Sequence, residues 1–312
     1  RHAGLIEQRR CDGFVRQCHG DLHLGNICLI DEKPVLFDCI DFSEMISCID
    51  VAYDLAFVLM DLCHRQRPDL ANIVLNRWLD RSGDKHGLTL MPFFMSLRAA
   101  IRAHILATSH RDEEAVAYLV TAAKHLMVAS PCLIAIGGLS GSGKSTLAQL
   151  LAPDFHPLPG ARVIRSDTLR KRLAGVAPET CLPASSYNQD MSHRIYVKLL
   201  AEAQAALDAG HSVILDAAFL RPQERDHAAA LAASLKVPFH GIWLDVPIDI
   251  LKARIAARHD DASDADLQVL DHQLSLDLGT ITWHRMLASA DTEAISEELR
   301  RVLGMPSPAV TS

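Results

Sequence analysis

The 312-residue sequence predicts an α/β protein in two parts: a mostly helical segment holding one β-hairpin, then a three-layer α/β/α unit on a parallel sheet. Three observations carry this. From Asp50 to about Ser130 apolar residues recur at three- and four-residue spacing, the helical period. From Cys132 short apolar runs alternate with helical segments, the mark of parallel strands joined by crossover helices. Between the first such run and its helix lies "GLSGSGKS", residues 138–145, a glycine-rich turn in the strand–turn–helix setting that a phosphate cradle needs.

Taken in order, "ICLI" (27–30) and "VLFD" (35–38) flank "DEKP" and predict the hairpin. "DVAYDLAFVLMDL", "SLRAAIRAHILATS" and "AVAYLVTAAKHLMVAS" predict helices, and Pro131 ends the last. This places a domain boundary between 1–130 and 131–312. "CLIAI" (132–136), "RVIRS" (162–166), "SVILDA" (212–217) and "HGIWLDV" (240–246) predict four strands, with a weaker fifth in "WHRMLAS". "KSTLAQLLA", "HRIYVKLLAEAQAALDA", "ERDHAAALAASL" and "PIDILKARIAARH" predict the helices between them, with Gly210 as a helix stop. "TEAISEELRRVL" predicts a final helix, and the tail "GMPSPAVTS" is expected to be disordered.

Charge narrows the partners. Residues 1–130 hold 14 Lys+Arg against 17 Asp+Glu, and 131–312 hold 17 against 21, within a net charge of −7. Two mildly acidic halves give no global field to recruit nucleic acid or an anionic membrane. Six of the eight cysteines fall in the first 63 residues with no Cys-x-x-Cys pair, which predicts reduced, mostly buried thiols in a cytoplasmic protein. No apolar stretch reaches 18 residues, so no membrane span is expected.

The glycine-rich stretch fits G-x-x-x-x-G-K-[ST], and each position has a physical task. Gly138, Ser140, Gly141, Ser142 and Gly143 turn backbone N–H groups toward phosphate oxygens, and the helix opening through Lys144, Ser145 and Thr146 adds its N-terminal donors. Lys144 reaches the β- and γ-phosphates, and the Ser145 hydroxyl can ligate Mg²⁺. Asp216, ending the strand "VILD", is a second Mg²⁺ candidate, directly or through water. In "VIRSDTLR", Asp167 and Arg170 share a helix face. The carboxylate suits a proton acceptor and the guanidinium suits an anion clamp. Arg254 and Arg258, four residues apart, could close over ATP.

On these residues, 132–304 resembles the small P-loop kinases of the AAA-type ATP-binding, zeta-toxin-like and polynucleotide-kinase-like group. The resemblance rests on "GLSGSGKST", the D-x-x-R at Asp167 and Arg170, "VILDAAF" and the paired arginines. It implies a P-loop NTPase sheet, ATP held by the cradle and by Arg254 and Arg258, and Asp167 facing the phosphate acceptor.

"CHGDLHLGNICLIDEKPVLFD" resembles the aminoglycoside- and choline-phosphotransferase family, relatives of protein kinases. The resemblance implies a protein-kinase-like C-lobe with Asp21 as catalytic carboxylate and Asn26 as metal ligand. Asp38 in "LFD" is the expected second metal carboxylate, with Asp41 as its rival, and Asp50 and Asp54 are expected to be structural. His19 and His23 also admit a zinc pair if helical, which Gly20 between them opposes. Such kinases carry a first lobe with a glycine-rich loop and a lysine. Only 18 residues precede His19, so that lobe is expected to be missing. The whole chain resembles bacterial fusions of an aminoglycoside-phosphotransferase-like domain with a C-terminal P-loop ATPase/kinase.

Three functions follow, in decreasing order of support. The first is an ATP- and Mg²⁺-dependent kinase of a small-molecule hydroxyl. The second is an ATP-gated module without transfer. The third is a 5′-hydroxyl polynucleotide kinase, which the acidic halves weigh against.

Overall fold

The computed structural model describes residues 2–127, 130–177, 180–257, 266–288 and 292–305, so Arg258 and the tail from 306 lie outside the described residues. The chain divides into two compact units, Arg1–Ala129 with His156–Gly160, and Ser130–Phe155 with Ala161–Ser312.

The first unit runs α1 (Ala3–Cys11), β1 (Val15–Gln17), β2 (Ile27–Ile30), β3 (Lys33–Leu36), α2 (Glu44–Ser47), β4 (Cys48–Asp50), α3 (Val51–His64), α4 (Pro68–Ser82), α5 (Lys85–Thr108) and α6 (Asp112–His125). Its core is helical: α5 packs on α3 and α6, and Leu59 and Met60 of α3 and Leu90, Met91 and Met95 of α5 are fully buried. By length and composition α5 could cross a membrane, although no 18-residue stretch of the chain is wholly apolar; half of its most apolar window is buried here.

Arg9 explains how α1 attaches. Its guanidinium is fully buried and donates to both oxygens of Asp50 (2.6 and 2.7 Å) and of Asp84 (2.5 and 2.8 Å). Each carboxylate also caps a helix: Asp50 accepts from Ala52 N at the start of α3, and Asp84 from Gly87 N at the start of α5. One cation therefore ties α1 to two helix N-termini. Desolvation alone would disfavour its charge, and the two carboxylates more than offset this.

Two expectations are corrected. The hairpin turn is two residues, not four. Asp31 and Glu32 both take left-handed backbone, φ +49° and +60°, the pattern of a tight type I′ turn. The second strand is thus 33–36 rather than 35–38, and Asp38 lies two residues beyond it. The thiols are free, but Cys63 alone among the eight is buried, while Cys11, Cys39, Cys48 and Cys181 are exposed because they sit at a helix end, in loops and on an edge strand.

His125, at the end of α6, is fully buried with no hydrogen-bond partner on either ring nitrogen. Burial, and secondarily the nearby His156, depresses its pKa to about 4. The unfolded chain binds this proton near the ordinary value of about 6.5. The His125 contribution is therefore intact above that pH and is lost progressively as pH falls toward about 4. His125→Phe is expected to flatten stability against pH in that window, read by urea melts at pH 7 and pH 5; equal pH slopes in variant and wild type would contradict it.

The second unit runs β5 (Leu133–Gly138), α7 (Lys144–Leu151), β6 (Arg162–Arg165), α8 (Ser166–Leu173), α9 (Gln189–Asp208), β7 (Val213–Asp216), α10 (Pro222–Leu235), β8 (Phe239–Asp245), α11 (Ile248–Ala256), α12 (Leu267–Ser275), β9 (His284–Leu287) and α13 (Thr292–Val302). The five strands are parallel in the order β6-β7-β5-β8-β9. The P-loop strand is thus central, and β5 and β7 end side by side, Ile136 opposite Asp216. Ile134, Ile136 and Ile214 pack with Leu147 and Leu151 of α7 and Ile295 and Leu299 of α13. Strand alternation turns Leu133 and Ala135 to the other face, where α9 packs on β6 and β7 and α10 on β8. This is the three-layer α/β/α P-loop architecture expected. Gly210, φ +85°, follows α9 as its helix stop.

Candidate active site

The cradle forms where β5 ends. Gly138 has φ +143°, and a Cβ there would lie 2.9 Å from both the Leu244 carbonyl and Ser142 Oγ. Gly141, φ +84°, has the Leu251 carbonyl 3.0 Å from where its Cβ would be. Side chains would fill this turn, so glycine is required and the backbone stays open to a bound anion. Gly143 in left-handed conformation caps α7, whose first residues are Lys144, Ser145 and the exposed Thr146.

Lys144 Nζ donates to the carbonyls of Gly138 and Leu139, 2.9 Å each, with Ser142 Oγ at 3.4 Å. Ser145 Oγ donates to Asp216 Oδ2 at 2.6 Å. A hydroxyl and a carboxylate are thus paired at the foot of the cradle, the hard oxygen donors that Mg²⁺ takes. Arg254 reaches the same loop, its Nη1 3.5 Å from the Gly141 carbonyl and Nη2 3.3 Å from that of Ala288. Its companion Arg258 lies outside the described residues.

Asp167 and Arg170 sit on α8, which begins where β6 ends. Because Arg165 pairs in register with Asp216, Asp167 emerges at the sheet end that carries Asp216. The largely buried Arg170 donates from Nη1 to the Ser186 carbonyl at 2.7 Å and lies 4.7 Å over the Tyr187 ring. Two further side chains join the site without a motif to announce them. Arg165 Nε lies 3.2 Å from Asp216 Oδ2. Tyr196 on α9 accepts from Phe219 N at 2.9 Å, fixing the loop that leaves Asp216. Burial pushes the Tyr196 hydroxyl well above its usual pKa, with Glu224 and more weakly Asp167 adding to the rise.

The first unit builds a separate site. "HGDLHLGN" is a loop ending in one 3₁₀ turn, Leu24–Asn26. Asp54 on α3 holds it, accepting from the backbone N–H of His19 and of Gly20, 3.0 Å each, while Asp61 accepts from Leu24 N at 3.1 Å. Asn26 Nδ2 donates to the Asp21 carbonyl (2.9 Å) and Oδ2 (3.2 Å), which turns its amide oxygen away from Asp21. Asp38 is exposed, in left-handed conformation at φ +58°. Its neighbours are zipped to the loop: Phe37 N donates to the Asn26 carbonyl and Ile40 N to that of His19. Asp41 lies beyond that zipper. His23 Nδ1 accepts from Gly25 N and His19 bonds the Phe37 carbonyl, so the two imidazoles have separate duties.

Residues 133–276 match the AAA domain family, and residues 5–90 match the phosphotransferase enzyme family. The uncharacterized protein Rv2004c of Mycobacterium tuberculosis (strain ATCC 25618 / H37Rv) is 33% identical over 275 residues, which is 85% of this chain and 54% of that protein. The chain therefore spans about half the length of the curated relatives it matches. Among solved structures, a sugar kinase from Janibacter sp. HTCC2649 is similar at 21% identity, with a TM-score of 0.43, 58% of this chain and 99% of that one covered. Mycobacterium tuberculosis APS kinase CysC in complex with AMPPNP and APS is similar at 19%, with a TM-score of 0.41, covering 56% and 98%.

Proposed function

We propose that this chain, which joins a phosphotransferase-family segment to an AAA domain, is an ATP-dependent phosphotransferase whose second unit moves the γ-phosphate to a hydroxyl of a small molecule. The observation that carries the reading is the Ser145–Asp216 pair, 2.6 Å apart at the foot of the glycine cradle and beside Lys144. Glycine amides and the start of α7 bind the phosphates. Ser145 and Asp216 would hold Mg²⁺, which when bound neutralises charge on the β- and γ-phosphates. Lys144 exchanges its two carbonyl partners for phosphate oxygens, a stronger charge-assisted contact. Asp167 accepts the proton of the attacking hydroxyl, Arg170 clamps the acceptor, and Arg254 steadies the transferred charge. The rate then comes from positioning and charge neutralisation rather than covalent chemistry.

In the first unit, Asp21 would position a hydroxyl, and Asn26 and Asp38 would hold a metal ion when one is bound. Beside them Leu29, Ile30, Leu36, Phe37, Phe42 and Met45 are exposed. That apolar surface supports a reading in which this unit works with a covering lobe outside this sequence.

The test follows label from γ-labelled ATP, with Mg²⁺, into a polar metabolite extract and separately into 5′-hydroxyl oligonucleotides. Label is expected in a metabolite, and Asp21→Ala is expected to leave its rate within about twofold, because Asp21 serves the other unit. Label in the oligonucleotide instead would make the acceptor a nucleic-acid end. Nucleotide binding with no transfer would favour an ATP-gated module.

A further inference from the structure

Phe219, three residues beyond Asp216, has a backbone that its residue type disfavours. Its φ is +52°, in the left-handed region. The other non-glycine residues with positive φ among those described are Asp31, Glu32, Asp38, Gln66, His110 and Lys236, all polar and all exposed. Phe219 is apolar and fully buried. A bulky side chain in this conformation is strained, and it persists only where its surroundings over-determine it.

Those surroundings grip both peptide groups of the residue. The Tyr196 hydroxyl oxygen, from α9, accepts from Phe219 N at 2.9 Å, and the hydroxyl itself is hydrogen-bonded to Glu224. Arg225 of α10 donates from Nη1 to the Phe219 carbonyl at 2.8 Å and to that of Leu220 at 3.3 Å. Arg225 is buried and anchored in turn: its Nη2 donates to the carbonyls of Leu278 (2.6 Å) and Thr280 (3.3 Å), between α12 and β9. The Phe219 ring meets Tyr196 and Trp283 edge to face, with centroids 5.4 and 5.0 Å away.

The turn held in this way touches both halves of the phosphate site. Asp216 accepts from Ser145 where β7 ends. Ala217 N then donates to the Ile136 carbonyl at 3.4 Å, and the Ala218 carbonyl accepts from Gly138 N, the first glycine of the cradle, at 3.2 Å. Ala217 and Ala218 have no side chain long enough to brace the turn, so its bracing comes from Phe219. We propose that Tyr196 and Arg225 are positioning residues for Asp216: by pinning Phe219 in its left-handed conformation they keep the carboxylate set on Ser145. The proposal rests on the reading that Ser145 and Asp216 hold a divalent cation beside bound ATP.

The experiment is Mn²⁺ titration of the full chain saturated with AMPPNP, followed by the paramagnetic signal of free Mn²⁺, an ion that takes the same oxygen donors as Mg²⁺. Tyr196→Phe removes one oxygen and keeps the ring, and it is expected to raise the Mn²⁺ dissociation constant about tenfold. Arg225→Met is expected to move it the same way. AMPPNP binding in EDTA is expected to stay within about twofold in both, since the cradle itself is intact. The control is Leu199→Ala, a cavity in the buried face of the same helix α9. It is expected to lower stability and leave the Mn²⁺ constant within about twofold. A Tyr196→Phe variant that keeps the wild-type Mn²⁺ constant overturns the proposal. So does a Leu199→Ala variant that raises it equally, or a Tyr196→Phe variant that loses metal-free AMPPNP binding to the same extent. If Arg225→Met does not fold, Tyr196→Phe still decides. A wild-type chain that binds neither AMPPNP nor Mn²⁺ is a different result, which removes the nucleotide reading and this proposal with it.

Discussion

Lys144→Ala is expected to reduce γ-phosphate transfer by about 10²- to 10³-fold while leaving the fold intact. Lys144 stands at the first position of α7, and its side chain is only half-buried. Its Nζ donates to two backbone carbonyls, both neutral acceptors, at 2.9 Å. Phosphate oxygens offer this cation a stronger, charge-assisted contact than those carbonyls do. Losing it removes a preformed charge from where negative charge develops, which lowers kcat more than it raises KM. Lys144→Arg is expected to recover little, because a planar fork does not fit where a compact ammonium reaches two carbonyls of one tight turn. Initial rates with labelled ATP, alongside a thermal melt, make the check. A Lys144→Ala variant within about threefold of wild type would show that the cradle is not the transfer site.

How much of this was readable in advance differs between the units, for physical reasons. Strands β5, β7 and β8 are central in a parallel sheet, β5 and β7 buried throughout and β8 from Ile242 to Leu244. They read as continuous apolar runs, and their ends fall within two residues of expectation. The cradle was legible for the same local reason, since Gly138, Gly141, Lys144 and Ser145 must be contiguous to work. The β2–β3 turn was misplaced because Asp31 and Glu32 adopt left-handed backbone that their residue types do not announce. Helix α4 carried readable signals, Pro68 in its first turn and Gly83 as a left-handed cap, that its mixed polarity obscured. Gln273 and Tyr196 were not legible, because what matters is their meeting Ser140 N and Phe219 N across 133 and 23 residues of chain. The Asp54 of "DVAYDLA" was expected to be structural, and its part is specific: it holds the backbone of His19 and Gly20, next to Asp21.

Arg9→Met is expected to produce the largest stability loss in the first unit, about 3 to 5 kcal/mol. Arg9 is fully buried, and so, nearly, are Asp50 and Asp84, whose side chains are 8% and 1% exposed. The methionine fills part of the volume but leaves two carboxylates facing each other out of water. Their repulsion, rather than the lost attraction, sets the cost. The damage should also propagate, because the same carboxylates cap α3 and α5, and α3 carries Asp54, which grips the loop of Asp21. With two units present, a single melting temperature is an ambiguous readout. Amide hydrogen exchange separates them: protection is expected to drop in α3 and α5 and in residues 19–20, while β5 and β7 keep theirs. Adding Asp50→Asn and Asp84→Asn to Arg9→Met should recover a substantial part of the loss, since neutral amides no longer repel. If the triple variant is no more stable than Arg9→Met alone, stranded charge is not the cause, and the arginine side chain would be holding α1 to the starts of α3 and α5 by packing and hydrogen bonding instead.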